Sequence, residues 1–490
     1  MITNEKIPLE VRLVAEKLEA AGYEAYLVGG CVRDLLIGKT PKDWDITTNA
    51  HPDQIAETFE ETFINNDYGT VGVVNTETAD ETLRVVEVTP YRSESGYSDA
   101  RRPDSVTFGV SLEDDLTRRD FTVNAIAYRI KDNMLVDHFE GQNDVKDKML
   151  RAVGDAKLRF EEDALRMMRA VRLAVELGFT IEAETMTAIA ENAANLERIS
   201  KERIRDEFVR IIKSRQPMQG IIFLEKLGLL PYVLPEIAEG IGIDQNQAHA
   251  YDVYEHNLRS LQHAADKDYP FEIRLAALLH DVGKPATREH SNIKKDWTFY
   301  NHEVVGAKMA KNILKTLKFP RETIEQVTKL VRWHMFFSDP DQVTLSAVRR
   351  TIRNVGVDQI WNLLNLRICD RIGTGRPKEQ PFRFRKYKSM VEEALRDPIS
   401  VKMLKIDGGR IMGITGEKPG PKLGNILHAL LEEVLDDPSK NTEKYLENRA
   451  KELIGLPEKE LETLGEKGKE KQEEVESNEV KKIRRKHKVY

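Results

Sequence analysis

The hydrophobic pattern changes period near residue 155, and that change limits what the chain can fold into. Before it, apolar runs are short and β-rich. An amphipathic stretch over residues 8 to 21 stops at Gly22, AYLVGG follows, and then DWDITT, TVGVVN, LRVVEVTPYR and MLVDHF alternate with helical stretches and loops. Beyond Asp155 the spacing is helical over long segments: FEEDALRMMRAVRLAVELG, IEAETMTAIAENAA, KERIRDEFVRIIKS and GIIFLEKLGLL. The pattern predicts an α+β head over 1–155 and an all-helical neck and body over 156–245. A third helical unit over 246–378 carries most of the 11 histidines. After the linker GRPKEQPFRFRKYKS comes a helical tail over 379–455, and the charged segment 456–490 reads as disordered because it has few large apolar residues. A chain of 490 residues needs several cores, which agrees with this division.

Composition narrows the class further. Hydrophobic residues are 40% and charged residues 32%, the balance of a globular protein rich in amphipathic helices. The two cysteines, Cys31 and Cys369, are too few and too far apart for a disulfide framework, so a reducing cytoplasm is expected. The N-terminus lacks the apolar core of a secretory signal, and no run approaches 18 apolar residues, so no membrane partner is expected. A net charge of −7 disfavours nucleic acid as a whole-chain average, but local cations matter more. Arg101–Arg102, Arg118–Arg119, the series Arg166, Arg169 and Arg172, and the segment Arg383 to Lys388 are the candidates, and each also fits a solvated face.

The stretch LVGGCVRDLLIGKTPKDWDITTNA, residues 27 to 50, says most about chemistry. A strand delivers Gly29 and Gly30 into a helix start, where missing side chains let a phosphate approach backbone N–H groups. Asp43 and Asp45 then follow at a spacing of two, which in a strand aims both carboxylates at one face while Trp44 enters the core. Hard oxygen ligands favour magnesium bound together with substrate phosphates. An isolated pair of this kind is more often a surface feature of an edge strand. Its setting changes that reading. YRSESGYSDARRPDSVTF, RRDFTVNAIA and EDALRMMRAVR follow in order.

With the GGxVRD and DxD segments, these motifs resemble the class II tRNA nucleotidyltransferase and bacterial poly(A) polymerase family over residues 20 to 235. The resemblance implies a head of the polymerase-β nucleotidyltransferase type, with a mixed sheet and helices. It places Gly29, Gly30 and Arg33 at the triphosphate, Asp43 and Asp45 on Mg²⁺, and Arg119, Asp120 and Asn124 at the nucleotide and its ribose. Arg118 reads alternatively as a partner of Asp114 or Asp115. Glu87 is a candidate third acidic residue, or a residue that fixes the loop after it. That loop, residues 92 to 105, is rich in Ser, Gly and charge, and in the family it accompanies addition of the terminal A.

The EDALR segment can be argued from hydrogen-bond types. Adenine and cytosine each present an amino donor beside a ring-nitrogen acceptor, whereas guanine and uracil present a carbonyl beside an N–H. A carboxylate next to a guanidinium matches the first pair only. Asp163 and Arg166, expected at i and i+3 on one helix, would form that edge, with Glu162 in the same segment and Arg169 close to Arg166. The bland alternative is a helix-surface salt bridge. Arg172 is turned about half a circle from Asp163 at about 100° per residue, and a triphosphate role is expected for it.

In the third unit, histidines occur in YEHN (His256), ALLHDVGKP (His280 with Asp281), FYNHEVVGA (His302) and RWHMF (His334), and Asp370 follows in RICDR. A lone histidine is usually structural, but ligands from several helices can converge on one ion. The order H…HD…D resembles the HD phosphohydrolase superfamily. That resemblance implies that His256, His280, Asp281 and Asp370 bind a divalent transition metal (Ni, Mn, Co, Fe or Zn), with His302 and His334 as further ligands in dinuclear members. Lys284 either contacts the phosphate or caps the helix.

The leading expectation is therefore template-independent addition of CCA to tRNA from CTP and ATP, with an HD phosphatase or phosphodiesterase beside it. A-only addition and poly(A) synthesis are the rivals that share every head motif. From another class comes an RNA-binding protein whose only chemistry is HD hydrolysis, against which the intact Asp43 and Asp45 argue. Oligomeric state is not legible.

Overall fold

The computed structural model describes residues 2–64, 69–96, 105–246, 249–336, 343–396 and 399–489. Arg101, Arg102 and most of the loop 92 to 105 lie outside the described residues.

The head is built on nine strands: β1 Ala25–Val28, β2 Asp45–Thr48, β3 Thr62–Ile64, β4 Val71–Val74, β5 Val85–Pro90, β6 Arg92–Ser95, β7 Ser105–Phe108, β8 Ile126–Arg129 and β9 Met134–Asp137. Seven of them form one mixed sheet in the order β3-β4-β5-β2-β1-β8-β9, and β6 pairs with β7 separately. Every pairing in the large sheet is antiparallel except β2 with β5, where Asp45 stands beside Glu87. β1 is buried on both faces, and Ile46, Val86 and Val88 are fully covered, which holds the central strands rigidly. The glycine turn and the aspartate strand are thus neighbours in the sheet centre.

The rest of the chain is mostly helical. Two compact units emerge: residues up to His334 together with Asn365–Pro377, and Met335–Leu364 together with the remainder from Lys378. Residues 343–364, which the sequence pattern assigns to the third unit, group here with the C-terminal one.

The second unit has its own core, in which Ile411, Ile426, Leu430, Leu446, Leu453 and Leu461 meet. Its last element corrects the expectation of disorder over 456–490: Glu458–Lys486 is one helix of 29 residues. Low apolar content did not prevent folding, because this helix brings small residues against the helix Pro421–Asp436. A Cβ at Gly468 would lie 2.1 Å from the carbonyl oxygen of His428, and one at Gly465 would lie 2.7 Å from Asn425. Backbone-to-backbone approach replaces bulky side chains there.

Candidate active site and second metal centre

β1 runs into Gly29, whose φ of 81° a side chain would strain. A Cβ there would also lie 3.3 Å from Arg119 Nη1 and 3.6 Å from Asp45 Oδ2. Turn, carboxylate and arginine therefore meet at one point. Asp45 opens β2 and Trp44 is buried, as the alternation requires, while Asp43 sits exposed in the bend before the strand. Ladder hydrogen bonding still reaches Trp44, whose carbonyl accepts from Glu87 N–H at 3.3 Å.

Burial pushes the Asp45 carboxyl up to about 6, and Glu87 and Asp43 push the same way against the pull of Arg119. A half-buried carboxylate that two others crowd, with Arg119 only partly offsetting them, suits a hard divalent cation. Arg119 adds a buried Nε with no hydrogen-bond partner among the described residues, which suits an incoming phosphate oxygen.

Around this point the predicted residues form a connected network. Arg33 donates from Nη1 to Asn124 Oδ1 at 2.6 Å and from Nε and Nη2 to Asp34. Asn124 Nδ2 donates to Asp120 Oδ1 at 3.0 Å, and Arg169 Nε donates to Asp120 Oδ2 at 2.8 Å. Asp120 is buried, yet Arg169 and Asn124 hold its carboxyl well below the usual range against that burial. The GGxVRD and RRD motifs and the helix Leu165–Leu177 are thereby tied together through charge-assisted bonds.

Asp115 is more than the solvent-facing partner of Arg118 that the motif alone suggests. It is fully buried in the helix Leu112–Thr117, accepts from Arg118 at 2.7 Å and from Arg119 at 3.1 Å, and also takes the Thr47 hydroxyl at 3.3 Å. Burial would raise its carboxyl, but Arg119 and Arg118 outweigh that and lower it. Its spacing of three and four from the two arginines was the readable signal.

The EDALR segment needs correction. Asp163 and Arg166 do not share one helix: Ala156–Glu162 ends at Asp163, whose φ of −139° is extended, and the next helix begins at Leu165. Asp163 caps Leu165 N–H at 3.0 Å and pairs with Arg203 at 2.8 Å, while Arg166 pairs with Glu162 at 2.6 Å and donates to the Arg118 carbonyl. Arg203, from the helix Lys201–Lys213, was not foreseen, since nothing local marks a partner 40 residues away. Arg172 is buried against Glu207 at 3.1 Å, apart from the Asp120 bonds.

The histidine-rich region makes a second site. His256 comes from the helix Val253–Asp266, His280 and Asp281 follow Phe271–Leu279, His302 opens His302–Thr316, His334 ends Arg321–Trp333, and Asp370 lies in Ile360–Gly373. All six are buried. They form two ligand groups, His256 with His280 and Asp370, and Asp281 with His302 and His334.

Asp281 spans both groups. Its Oδ2 is 3.1 Å from His256 Nε2 and 3.3 Å from His280 Nε2, and its Oδ1 is 3.3 Å from His302 Nε2 and 3.5 Å from His334 Nε2. Three of the rings make a second contact that fixes them: Nδ1 of His280, His302 and His334 donates to the carbonyls of Ala277, Phe299 and Val331 at 2.8, 2.7 and 2.7 Å. That tautomer turns the Nε2 lone pairs inward, the arrangement a metal requires. Burial pushes His256 and His334 down, while Asp281 outweighs burial at His280 and pushes it up. Lys284 reaches Asp281 at 2.6 Å and Gln245 at 2.5 Å, so it serves the site and not a helix cap.

The chain is similar to known proteins along most of its length. Residues 25–151 match the poly A polymerase head domain, 178–241 the probable RNA and SrmB-binding site of polymerase A, and 253–372 the HD domain. A CCA-adding enzyme of Lactiplantibacillus plantarum is 36% identical over 428 residues, covering 86% of this chain and 90% of its own. An A-adding tRNA nucleotidyltransferase of Deinococcus radiodurans is 35% identical over 422 residues, covering 83% and 91%. Among solved structures, the Bacillus stearothermophilus CCA-adding enzyme in complex with CTP aligns with a TM-score of 0.57 at 26% identity, covering 91% of this chain and 98% of that one.

Proposed function

Starting from a chain that belongs to the CCA-adding family of tRNA nucleotidyltransferases, we propose that it adds CMP, CMP and AMP from CTP and ATP to tRNA 3′ ends without a nucleic-acid template. The meeting of Gly29, Asp45 and Arg119, with Glu87 alongside, is the observation that carries this reading. The 3′ oxygen of the RNA bonds to the α-phosphorus of the nucleotide as the bond to the bridging oxygen breaks and pyrophosphate leaves. Mg²⁺ held by Asp43 and Asp45 supplies charge neutralisation at the phosphates and activation of the attacking hydroxyl.

The chain's own residues do the positioning. Gly29 and Gly30 leave room for the triphosphate, and Arg33 and Arg119 face it. Asp120 and Asn124 hold Arg33 and Arg169 in place around the sugar. Asp163, braced by Arg203, and Arg166, braced by Glu162, offer one acceptor and one donor edge to adenine or cytosine. Roles of body and tail follow the same reading: residues 156–245 select the base and bind RNA, and 379–455 support the tRNA.

In the second site, a divalent transition metal (Ni, Mn, Co, Fe or Zn) held by the mixed histidine and aspartate set supplies a nucleophile at neutral pH and charge for a phosphate ester. Lys284 lies where it can meet that ester. Both activities fit work in the cytoplasm, and Cys31 and Cys369 are free thiols. Among the described residues, no helix is long and apolar enough to cross a membrane.

The test is product length on tRNA lacking its CCA end, with each labelled nucleotide. Three additions support the reading; one A on a CC-ended tRNA and nothing on shorter ends supports the A-adding form; a long tail supports poly(A) synthesis. For the second site, protein loaded with Ni²⁺, Mn²⁺ or Co²⁺ should cleave a phosphomonoester or a 2′,3′-cyclic nucleotide, and cleavage of neither would reduce the region to scaffold.

A further inference from the structure

Between Lys284 and the ligand His302 the chain makes a small antiparallel hairpin, Glu289–Ser291 with Asp296–Thr298. Its turn carries Ile293, 96% exposed, and Lys295 with a φ of 49°. What it displays is two aromatic rings, each covered by a cation.

Arg288 lies 3.8 Å from the Trp297 ring centre, with His290 edge-on from the paired strand position. Lys294 lies 5.2 Å from the Tyr300 ring centre and donates to its hydroxyl at 2.9 Å. Arg288 is only loosely tied down: its ion pair with the largely exposed Asp244 spans 3.9 Å, and its buried Nε has no hydrogen-bond partner among the described residues.

The hairpin face leads to the metal-ligand cluster. Phe299 follows the strand directly, two residues after Trp297. Lys284 Nζ lies 5.5 Å from the Phe299 ring centre and 2.6 Å from Asp281, and the Phe299 carbonyl holds His302 Nδ1. Tyr300, 62% exposed, stands two residues before His302.

We propose that this hairpin is a stacking platform for single-stranded RNA that delivers a 3′-terminal phosphate ester to the histidine and aspartate cluster. Aromatic faces take bases irrespective of sequence, and cations beside them take the intervening phosphates. An acidic peptide would use the cations but leave the rings idle, so RNA is the occupant the pairing favours. The proposal rests on the phosphohydrolase reading for its chemistry, but the platform itself can be tested without turnover.

The probe is a uridine tetranucleotide ending in a 3′-phosphate, with glycerol 2-phosphate as a substrate lacking a base. Full-length protein loaded with Mn²⁺ is compared with Tyr300→Ala, Tyr300→Phe and Arg288→Ala. The platform predicts that Tyr300→Ala raises KM for the tetranucleotide about tenfold with kcat and glycerol phosphate cleavage unchanged. Tyr300→Phe should behave as wild type, and Arg288→Ala should raise the same KM. Ultraviolet crosslinking should place the tetranucleotide on the peptide spanning residues 288–302 in wild type and lose it in Tyr300→Ala. A crosslink without any cleavage would keep the platform and remove the hydrolase reading. Equal loss on both substrates, an unchanged KM, or no crosslink to this peptide would overturn the platform.

Discussion

Asp45 illustrates how a functional residue opposes stability. Its carboxyl is half-buried beside Glu87 and Asp43, and its affinity for a proton rises from an ordinary 3.8 to about 6. An acid whose folded value exceeds its unfolded one weakens the fold above the folded value and has no effect below the unfolded one. Metal-free Asp45→Asn is therefore expected to be more stable than wild type at pH 8, by about 1 to 3 kcal/mol, and equal to it below about pH 4. Urea unfolding at both pH values checks this, and a less stable variant at pH 8 would show that the carboxylate is satisfied without a cation. Asp120 has the opposite character. Its carboxyl is held low by Arg169 and Asn124, so its contribution is present at neutral pH and lost as the solution turns strongly acidic.

Among the elements, the junction at Asp163 matters most for selectivity. Because the helix stops there, Asp163 is free of the i+3 geometry that a continuous helix would impose, and Arg203 sets its direction instead. Removing that brace with Arg203→Ala is expected to raise KM for both ATP and CTP several-fold, by about 1 kcal/mol, and to increase UMP misincorporation. Single-nucleotide addition assays on tRNA would read both, and unchanged selectivity would mean that Asp163 needs no brace. The long C-terminal helix depends on a different local feature. Gly468→Val would force side-chain atoms against the His428 carbonyl and should cost about 1 to 3 kcal/mol with loss of helical signal on mild heating.

These two elements also show where sequence reading stops. A break at Asp163 is invisible to a helical-periodicity argument, because Ala164 and Leu165 continue the pattern. Scarcity of large apolar residues hides the final helix, yet Leu461, Gly465 and Gly468 fall at helical spacing, and small residues can bury a helix when a partner backbone comes close. The signal was present, but composition outweighed it. By contrast, the meeting of Gly29 with Asp45 and the gathering of the six histidine and aspartate side chains were legible, since those residue types stand at set spacings, whereas Asp43 lies in the bend before β2 and not on the strand. Asp115 and Arg203 support them across distances that only the fold creates.

For the molecule as a whole, two candidate sites of different composition share one chain: carboxylates crowded at Asp45 in the head, and a mixed histidine and aspartate group in the histidine-rich region. Each should be removable alone. The most direct measurement compares nucleotide incorporation into tRNA lacking CCA, and metal-dependent cleavage of a phosphomonoester, in wild type, Asp45→Ala and Asp281→Asn. The account predicts that Asp45→Ala loses incorporation by at least about a thousandfold, about 4 kcal/mol of transition-state stabilisation, and keeps cleavage, with the reverse in Asp281→Asn. Incorporation by Asp45→Ala at a rate near wild type would contradict it.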